Sequence, residues 1–291
     1  MQYNHIETKE KQRKFRVKQN NIIPKSTQPS DLSYLSQVVR PKIIAAIPCF
    51  NTESTIGKIV SRAMKYVDLV MVIDDGSTDN TAQVAEAAGA AVVSHRNREG
   101  YAEGIKTSFE VAKTSAAEVL VTLDGDAQHN PDEIQKVLAP ILKDGADIVI
   151  GSRFLHRGKE GEAVELTDMP RYRRFGIAVI TWLFNLGSRV KVSDTQSGFR
   201  AYSRRVLEAC HPTERGMGIS VEMLIEARQK NFLIREVPIT CIYHKSGSTQ
   251  NPISHGLSVV FTLVKLRLRS RLTARKKRAK LVPSELASRK T

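Results

Sequence analysis

The stretch VLVTLDGDAQH, residues 119–129, joins a short apolar run to a cluster of polar side chains. Residues 119–123 have the length and composition of a buried parallel strand, and Asp124 and Asp126 follow directly. Neighbouring carboxylates repel each other unless a cation lies between them, and oxygen ligands suit Mg²⁺ or Mn²⁺. The stretch therefore predicts a strand that ends at a metal site, with Gln128 or His129 as a further ligand. The alternative is an acidic strand-to-helix turn, which short motifs often represent.

The same alternation of strand and helix extends on both sides of this stretch. Short apolar runs predict strands at 43–47, 69–73, 90–94, 119–123 and 148–150. The intervening segments predict helices at 54–66, 78–88, 99–115 and 131–143. Such alternation is typical of an α/β sandwich around a mostly parallel sheet. Ligands of these sheets bind beyond the carboxyl ends of the strands, where the polar clusters of this sequence lie.

Two further strand ends carry candidate nucleotide-binding residues. The segment PCFNTE at 48–53 offers Phe50 to a nucleobase and places Asn51 and Glu53 near a ribose. The segment DDGSTD at 74–79 offers Asp75 as an acceptor for a base N–H or ribose hydroxyls. Taken singly, each segment is also compatible with a capped turn between a strand and a helix.

The order of the three segments is more specific than any one of them. Pro-x-Phe-Asn-x-Glu, Asp-Asp-Gly-Ser-Thr-Asp and Asp-Gly-Asp-x-Gln-His together resemble the nucleotide-sugar half of family 2 glycosyltransferases, which have the GT-A fold. The resemblance implies a nucleotide-sugar site formed by Pro48, Phe50, Asn51, Glu53, Asp75 and Asp124. It also implies that Mg²⁺ or Mn²⁺ is held by Asp124, Asp126 and Gln128.

Later segments resemble the dolichyl-phosphate mannosyl- and glucosyltransferase branch of that family. They are GSR at 151–153, RYRR at 171–174 and DTQSGFR at 194–200. The resemblance implies that Arg153, Arg173 and Arg174 hold an acceptor phosphate, for which guanidinium groups are well suited. It also implies a catalytic set of Asp126, Asp194 and Arg153. The alternative for 171–174 is a solvated basic start of a helix.

Basic residues are concentrated at the two ends of the chain. The net charge is +15 over 291 residues, yet residues 1–42 hold nine Lys or Arg against three acids, and residues 253–291 hold eleven against one. We therefore expect a flexible basic extension at 1–41, a GT-A catalytic domain at 42–250, and a basic amphipathic helix and tail at 251–291. No motif for specific nucleic-acid binding is present, so an anionic membrane surface is the expected partner of the basic ends.

The C-terminal segment predicts a peripheral protein at the cytoplasmic side of the membrane. Leu257, Val260, Phe261, Val264 and Leu268 fall on one helical face, and arginines recur around another. The longest apolar stretch is too short and too charged to span a bilayer. Three scattered cysteines fit a reducing compartment. The alternative is a helix whose apolar face packs on the domain.

The sequence as a whole predicts a metal-dependent inverting glycosyltransferase. Its donor is expected to be a GDP- or UDP-hexose, and its acceptor a polyprenyl (dolichyl-type) phosphate. Transfer to a glycan hydroxyl is an open alternative, which would require a carboxylate base such as Asp194 or Glu222. A non-catalytic module that binds nucleotide sugars or nucleic acid is a second alternative.

Overall fold

Seven strands form a single sheet in the order β3-β2-β1-β4-β6-β5-β7. The computed structural model describes residues 42–155, 169–188, 190–242, 256 and 259–267. All neighbouring strands are parallel except β6, which runs antiparallel between β4 and β5. The strands are β1 Ile43–Cys49, β2 Leu69–Asp74, β3 Ala91–Ser94, β4 Val119–Thr122, β5 Ile148–Ser152, β6 Arg200–Ser203 and β7 Ile234–Pro238.

Helices cover both faces of this sheet. They are α1 Glu53–Ala63, α2 Thr81–Ala87, α3 Tyr101–Thr114, α4 Ile134–Asp144, α5 Arg171–Asn185, α6 Arg204–Ala209 and α7 Ile219–Gln229. Ile56 of α1 and Ile134 of α4 lie in the core on one face, whereas Phe109 of α3 and Phe184 of α5 lie in the core on the other. This arrangement confirms the predicted α/β sandwich with a mostly parallel sheet.

The strand β6 and the helix α6 were not predicted from the sequence. Their residues are short runs that begin with arginines, so they carry little apolar signal. Arg200 is nevertheless only 2% exposed, because its guanidinium donates to the carbonyl oxygens of Thr195, Ser197 and Ser220. These hydrogen bonds satisfy the buried charge and allow an arginine to begin a strand in the centre of the sheet.

Helix α2 begins at Thr81, later than the predicted start at residue 78. The Asp79 carboxylate accepts hydrogen bonds from the backbone N–H and the hydroxyl of Thr81 at 3.0 and 2.5 Å. Asn51 and Glu53 hold the preceding residues in a loop. The local contacts of this loop therefore delay the helix.

Residues 259–267 form a helix that packs on the domain. Val259 and Leu263 are each 1% exposed and belong to the core. Phe261 and Val264, which were expected on the apolar face, are exposed. The predictions for residues 1–41, the loop 156–168, Leu257 and Leu268 lie outside the described residues. None of the helices in the described part is long and apolar enough to cross a membrane.

Candidate active site

The carboxyl ends of β1, β2 and β4 meet at one edge of the sheet. Cys49 lies opposite Asp74 in the register of β1 and β2. The Thr55 hydroxyl, on α1, donates to the Gly125 carbonyl at 2.7 Å and so joins the loop after β1 to the loop after β4. The three segments that were singled out in the sequence are therefore neighbours in space.

The predicted metal ligands lie together on the loop after β4. Asp126 accepts hydrogen bonds from the backbone and the side-chain amide of Gln128 at 3.0 and 2.6 Å. The Nδ1 atom of His129, which is buried, lies 3.5 Å from the Asp124 carboxylate. The amide nitrogen of Gln128 thus supports Asp126, and the Gln128 carbonyl oxygen is the atom suited to a metal.

The acidity of this carboxylate pair reflects its enclosure. Burial raises the pKa of Asp124 to about 6, although Arg153 and Arg200 act in the opposite direction. Burial and the charge of Asp124 also raise the pKa of Asp126. A close approach by Gly198 encloses Asp124 further, because a Cβ on that glycine would lie 2.7 Å from both carboxylate oxygens.

These residues fit a hard divalent cation that is shared with a substrate. Among the described residues, no group of three or more His, Cys, Asp or Glu side chains could hold a metal ion by itself. Mg²⁺ is commonly bound through one or two carboxylates together with substrate phosphates. The pair Asp124 and Asp126 offers such a set, and a cation there would relieve the repulsion that raises the pKa of Asp126.

Asn51 and Glu53 connect the loops that follow β1 and β2. The Asn51 backbone N–H donates to the Ser77 hydroxyl, and its side-chain oxygen accepts from the Thr78 backbone. The Glu53 carboxylate accepts hydrogen bonds from the backbone and the side chain of Asn80. Both side chains are therefore part of the framework of the predicted nucleotide site.

Phe50 and Asp75 are covered by the segment that follows β3. The Arg98 guanidinium lies 4.1 Å from the centre of the Phe50 ring. Asp75 is buried and accepts hydrogen bonds from the backbone N–H groups of Glu99 and Gly100, each at 2.8 Å. His95 also contacts the Asp75 carboxylate at 3.0 Å. Arg98 and His95 were not identified as site residues from the sequence, because isolated basic residues after a strand carry no distinctive pattern.

Pro48 lies on β1 beneath this region and packs against Gly104 of α3. A Cβ on Gly104 would lie 3.0 Å from the Pro48 side chain, so the helix passes close to the strand. The carboxyl end of β1 and the amino end of α3 are thus held together under the predicted nucleotide site.

Arg153 and Asp194 form a buried ion pair at the end of β5. The Arg153 Nε and Nη2 atoms lie 2.7 and 2.8 Å from the two Asp194 oxygens. Asp194 is fully buried, and although burial alone would raise its pKa, the charge of Arg153 and several hydrogen bonds hold that pKa below its usual range. The charge of Arg153 also opposes the rise in the pKa of Asp124 that burial causes. The ion pair therefore acts electrostatically on the predicted metal site.

Glu236 supports this ion pair from β7 and was missed in the sequence. Its carboxylate accepts hydrogen bonds from the Ser193 backbone at 2.7 Å, the Ser193 hydroxyl at 3.0 Å and the Asp194 backbone at 3.1 Å. Burial raises the pKa of Glu236. No local signal marked it, because β7 also carries Arg235 and the partners of Glu236 lie at 193–194, far away in the sequence.

The remaining predicted residues lie on α5 and α7. Arg174 is exposed and Arg173 partly exposed on the first turn of α5. This helix is attached to the Asp194 segment through the Thr181 and Thr195 hydroxyls, which are 3.0 Å apart. Glu222 of α7 accepts hydrogen bonds from the turn at 213–214, and those contacts give it a structural role.

Similarity to known proteins agrees with this geometry. Residues 44–210 match the family described as glycosyl transferase family 2. The UDP-N-acetylglucosamine–dolichyl-phosphate N-acetylglucosaminyltransferase of Methanococcus voltae is 29% identical over 78% of this chain and 96% of its own. The dolichyl-phosphate hexose transferase of Haloferax volcanii is 30% identical over 77% of this chain and 92% of its own.

The fold is also found among solved structures. Glucosyl-3-phosphoglycerate synthase from Mycobacterium tuberculosis, crystallised with Mn²⁺, UDP and glucosyl-3-phosphoglycerate, superposes with a TM-score of 0.59 and 24% identity. The superposition covers 83% of this chain and 84% of the other.

Proposed function

This chain belongs to glycosyl transferase family 2, and we propose that it transfers a hexose from a GDP- or UDP-sugar to a polyprenyl phosphate of the dolichyl type. The observation that carries the acceptor assignment is the buried Arg153–Asp194 pair at the end of β5, whose guanidinium charge acts on Asp124. It keeps a guanidinium cation fixed at the carboxyl edge of the sheet, where an anionic acceptor would be attracted. The printed names of relatives that act on dolichyl phosphate support the same acceptor class.

The donor side of the reaction is assigned to Pro48, Phe50, Asn51, Glu53, Asp75 and Asp124. Asp124, Asp126 and Gln128 would hold Mg²⁺ or Mn²⁺, which supplies electrostatic stabilisation of the departing nucleoside diphosphate. The two carboxylates would fix the metal cation in an enclosed site, where electrostatic interactions are stronger than in water.

The acceptor side is assigned to Arg153, Arg173 and Arg174, with Asp194 as the group that orients Arg153. A phosphate monoester is already anionic and needs no strong general base before it attacks. Attack opposite the leaving group would invert the anomeric centre. The main role of these residues is therefore to orient the acceptor oxygen towards the sugar.

Transfer to a neutral hydroxyl is less compatible with the site. A general base works best when its pKa is near the working pH. The pKa of Asp194 is held low and the group is fully buried, while Glu222 is engaged with the turn at 213–214. A carboxylate pair with raised pKa values likewise argues against a purely structural module.

The polyprenyl phosphate would place the enzyme at the cytoplasmic surface of an anionic membrane.

A two-phase transfer assay tests this proposal. Purified protein with Mn²⁺, radiolabelled GDP- and UDP-sugars and short polyprenyl phosphates should move label into the organic phase. Asp126→Ala should reduce transfer by about 100-fold or more while the protein stays folded, because the cation that Asp126 would hold near the leaving group is lost. Asp144→Ala, which removes an exposed aspartate at the end of α4, should leave transfer unchanged. Label that remains in the aqueous phase with every donor would refute the lipid-phosphate acceptor.

A further inference from the structure

Helix α5 is apolar on two opposite faces, and within the described residues only one of them is covered. The face towards the core carries Ile177, Ile180, Thr181 and Phe184. The opposite face carries Tyr172, Phe175 and Trp182, and it continues to Leu186 just after the helix. We refer to these last four residues as the α5 stripe. At about 100° per residue they fall within an arc of roughly 80°, so they form one continuous strip.

The α5 stripe is unusually exposed for such large side chains. Tyr172, Phe175, Trp182 and Leu186 are 61%, 71%, 61% and 44% exposed. From its first to its last residue the strip extends along about 20 Å of the helix. Single exposed apolar residues are common on protein surfaces, but a contiguous apolar strip usually marks a binding surface.

Charge and composition identify the kind of surface that this strip fits. Arg171 and Arg174 are exposed on the first turn of α5, beside the start of the strip. Tyrosine and tryptophan favour the boundary between lipid and water, and nearby arginines are attracted to anionic headgroups.

We propose that the α5 stripe is the surface through which this protein lies on an anionic lipid bilayer. The proposal rests on the proposed function, because a polyprenyl phosphate presents its headgroup at the bilayer surface. The strip begins beside Arg173 and Arg174, which are assigned to the acceptor phosphate. Contact through the strip would therefore place those arginines at headgroup level, where the lipid-borne phosphate is located.

The tail helix lies next to this surface. The Arg267 guanidinium donates hydrogen bonds to the carbonyl oxygens of Phe184 and Leu186 at the end of α5. Phe261, which is 72% exposed, and Val264 belong to the same short helix. The sequence predicted membrane contact through the tail, and the present proposal adds α5 as a second apolar contact.

The fluorescence of Trp182 tests the proposal directly, because it is the single tryptophan of the chain. Vesicles that contain phosphatidylglycerol should shift its emission to the blue, and brominated lipid should quench it. Vesicles of phosphatidylcholine alone should have a weaker effect. The double variant Phe175→Ser/Leu186→Ser keeps the reporter and should lower vesicle affinity by about tenfold or more, since two apolar side chains are removed. Leu142→Ser, which alters an exposed leucine of α4, is the matched control and should bind as the wild type.

Two results would overturn the proposal. One is the absence of any vesicle-dependent change in Trp182 emission. The other is a concentration-dependent blue shift without lipid, accompanied by dimers in sedimentation equilibrium, which would assign the strip to a second copy.

The acceptor assay separates this proposal from the proposed function. The double variant should retain transfer to a short polyprenyl phosphate supplied without vesicles and lose transfer to a long-chain acceptor in vesicles. Loss of both activities to the same extent would count against a membrane role for the strip. A wild-type protein that binds vesicles but glycosylates neither acceptor would refute the function and support the strip.

Discussion

At the scale of single residues, the site depends on a layered set of contacts. Glu236 holds the Ser193 and Asp194 backbone, Asp194 holds Arg153, and Arg153 acts on Asp124 through its charge. Breaking a buried ion pair by removal of one partner is costly, commonly about 3–5 kcal/mol. The position of the guanidinium is thus set by residues on three different segments.

Glu236→Gln should weaken this support without removing a group that touches substrate. The new side-chain NH₂ group would face N–H or O–H groups of Ser193 and Asp194 that need an acceptor. We therefore expect a loss of about 1–3 kcal/mol in the free energy of unfolding. We also expect a higher KM for the acceptor, with the KM for the donor unchanged, in initial-rate measurements. Glu118→Gln, at an exposed position, serves as the control. Equal changes in both KM values would show that Glu236 has only a general structural role.

At the scale of elements, the strand ends carry the site, and the sequence reveals some of them better than others. The segments after β1, β2 and β4 follow apolar strands, so their positions at one edge of the sheet were predicted from the alternation of strands and helices. The strand β6 was not, because Arg200 begins it and hydrogen bonds from distant residues compensate that charge. Glu236 was missed for the same reason, since its partners at 193–194 are far from it in sequence. Tertiary partners of buried charges have no local signature.

Gly198, just before β6, makes a second prediction that belongs to this scale. Gly198→Ala would place a Cβ 2.7 Å from the Asp124 oxygens, so the carboxylate or the strand must move. We expect at least a tenfold weaker response of activity to Mn²⁺, measured as the metal concentration for half-maximal transfer, because metal sites tolerate little displacement. Gly176→Ala, in α5, meets no atom within 4 Å and should not reduce activity or stability. An unchanged metal response of the Gly198 variant would contradict the proposed role of Asp124.

At the scale of the whole molecule, residues 259–267 are part of the folded body. Val259 and Leu263 lie in the same core as the central strands, and Thr262 packs closely against Gly218. Charge alone places the end of the catalytic domain at residue 250, and the core also contains side chains from residues 259 and 263. Charge distribution located the basic end of the chain but gave no information about which side chains are buried.

Leu263→Ala should reveal this continuity in equilibrium unfolding. The side chain is 1% exposed, so we expect a loss of about 2–5 kcal/mol in the free energy of unfolding. Val264→Ala, at the adjacent and 46% exposed position, should change that free energy by no more than about 0.5 kcal/mol. Equal and small effects at both positions would mean that the helix is only loosely attached.

The antiparallel strand β6 also determines how the polypeptide reaches its final form during synthesis. β5 is complete once residue 152 has been made, but its only two neighbours in the described sheet, β6 and β7, end at residues 203 and 238. Until then both edges of β5 lack backbone partners, and exposed strand edges promote association between chains. A nascent chain that has been made past residue 152 but not yet to residue 238 has an incomplete sheet with unpaired strand edges. We therefore expect the nascent protein to depend most on chaperones during this interval.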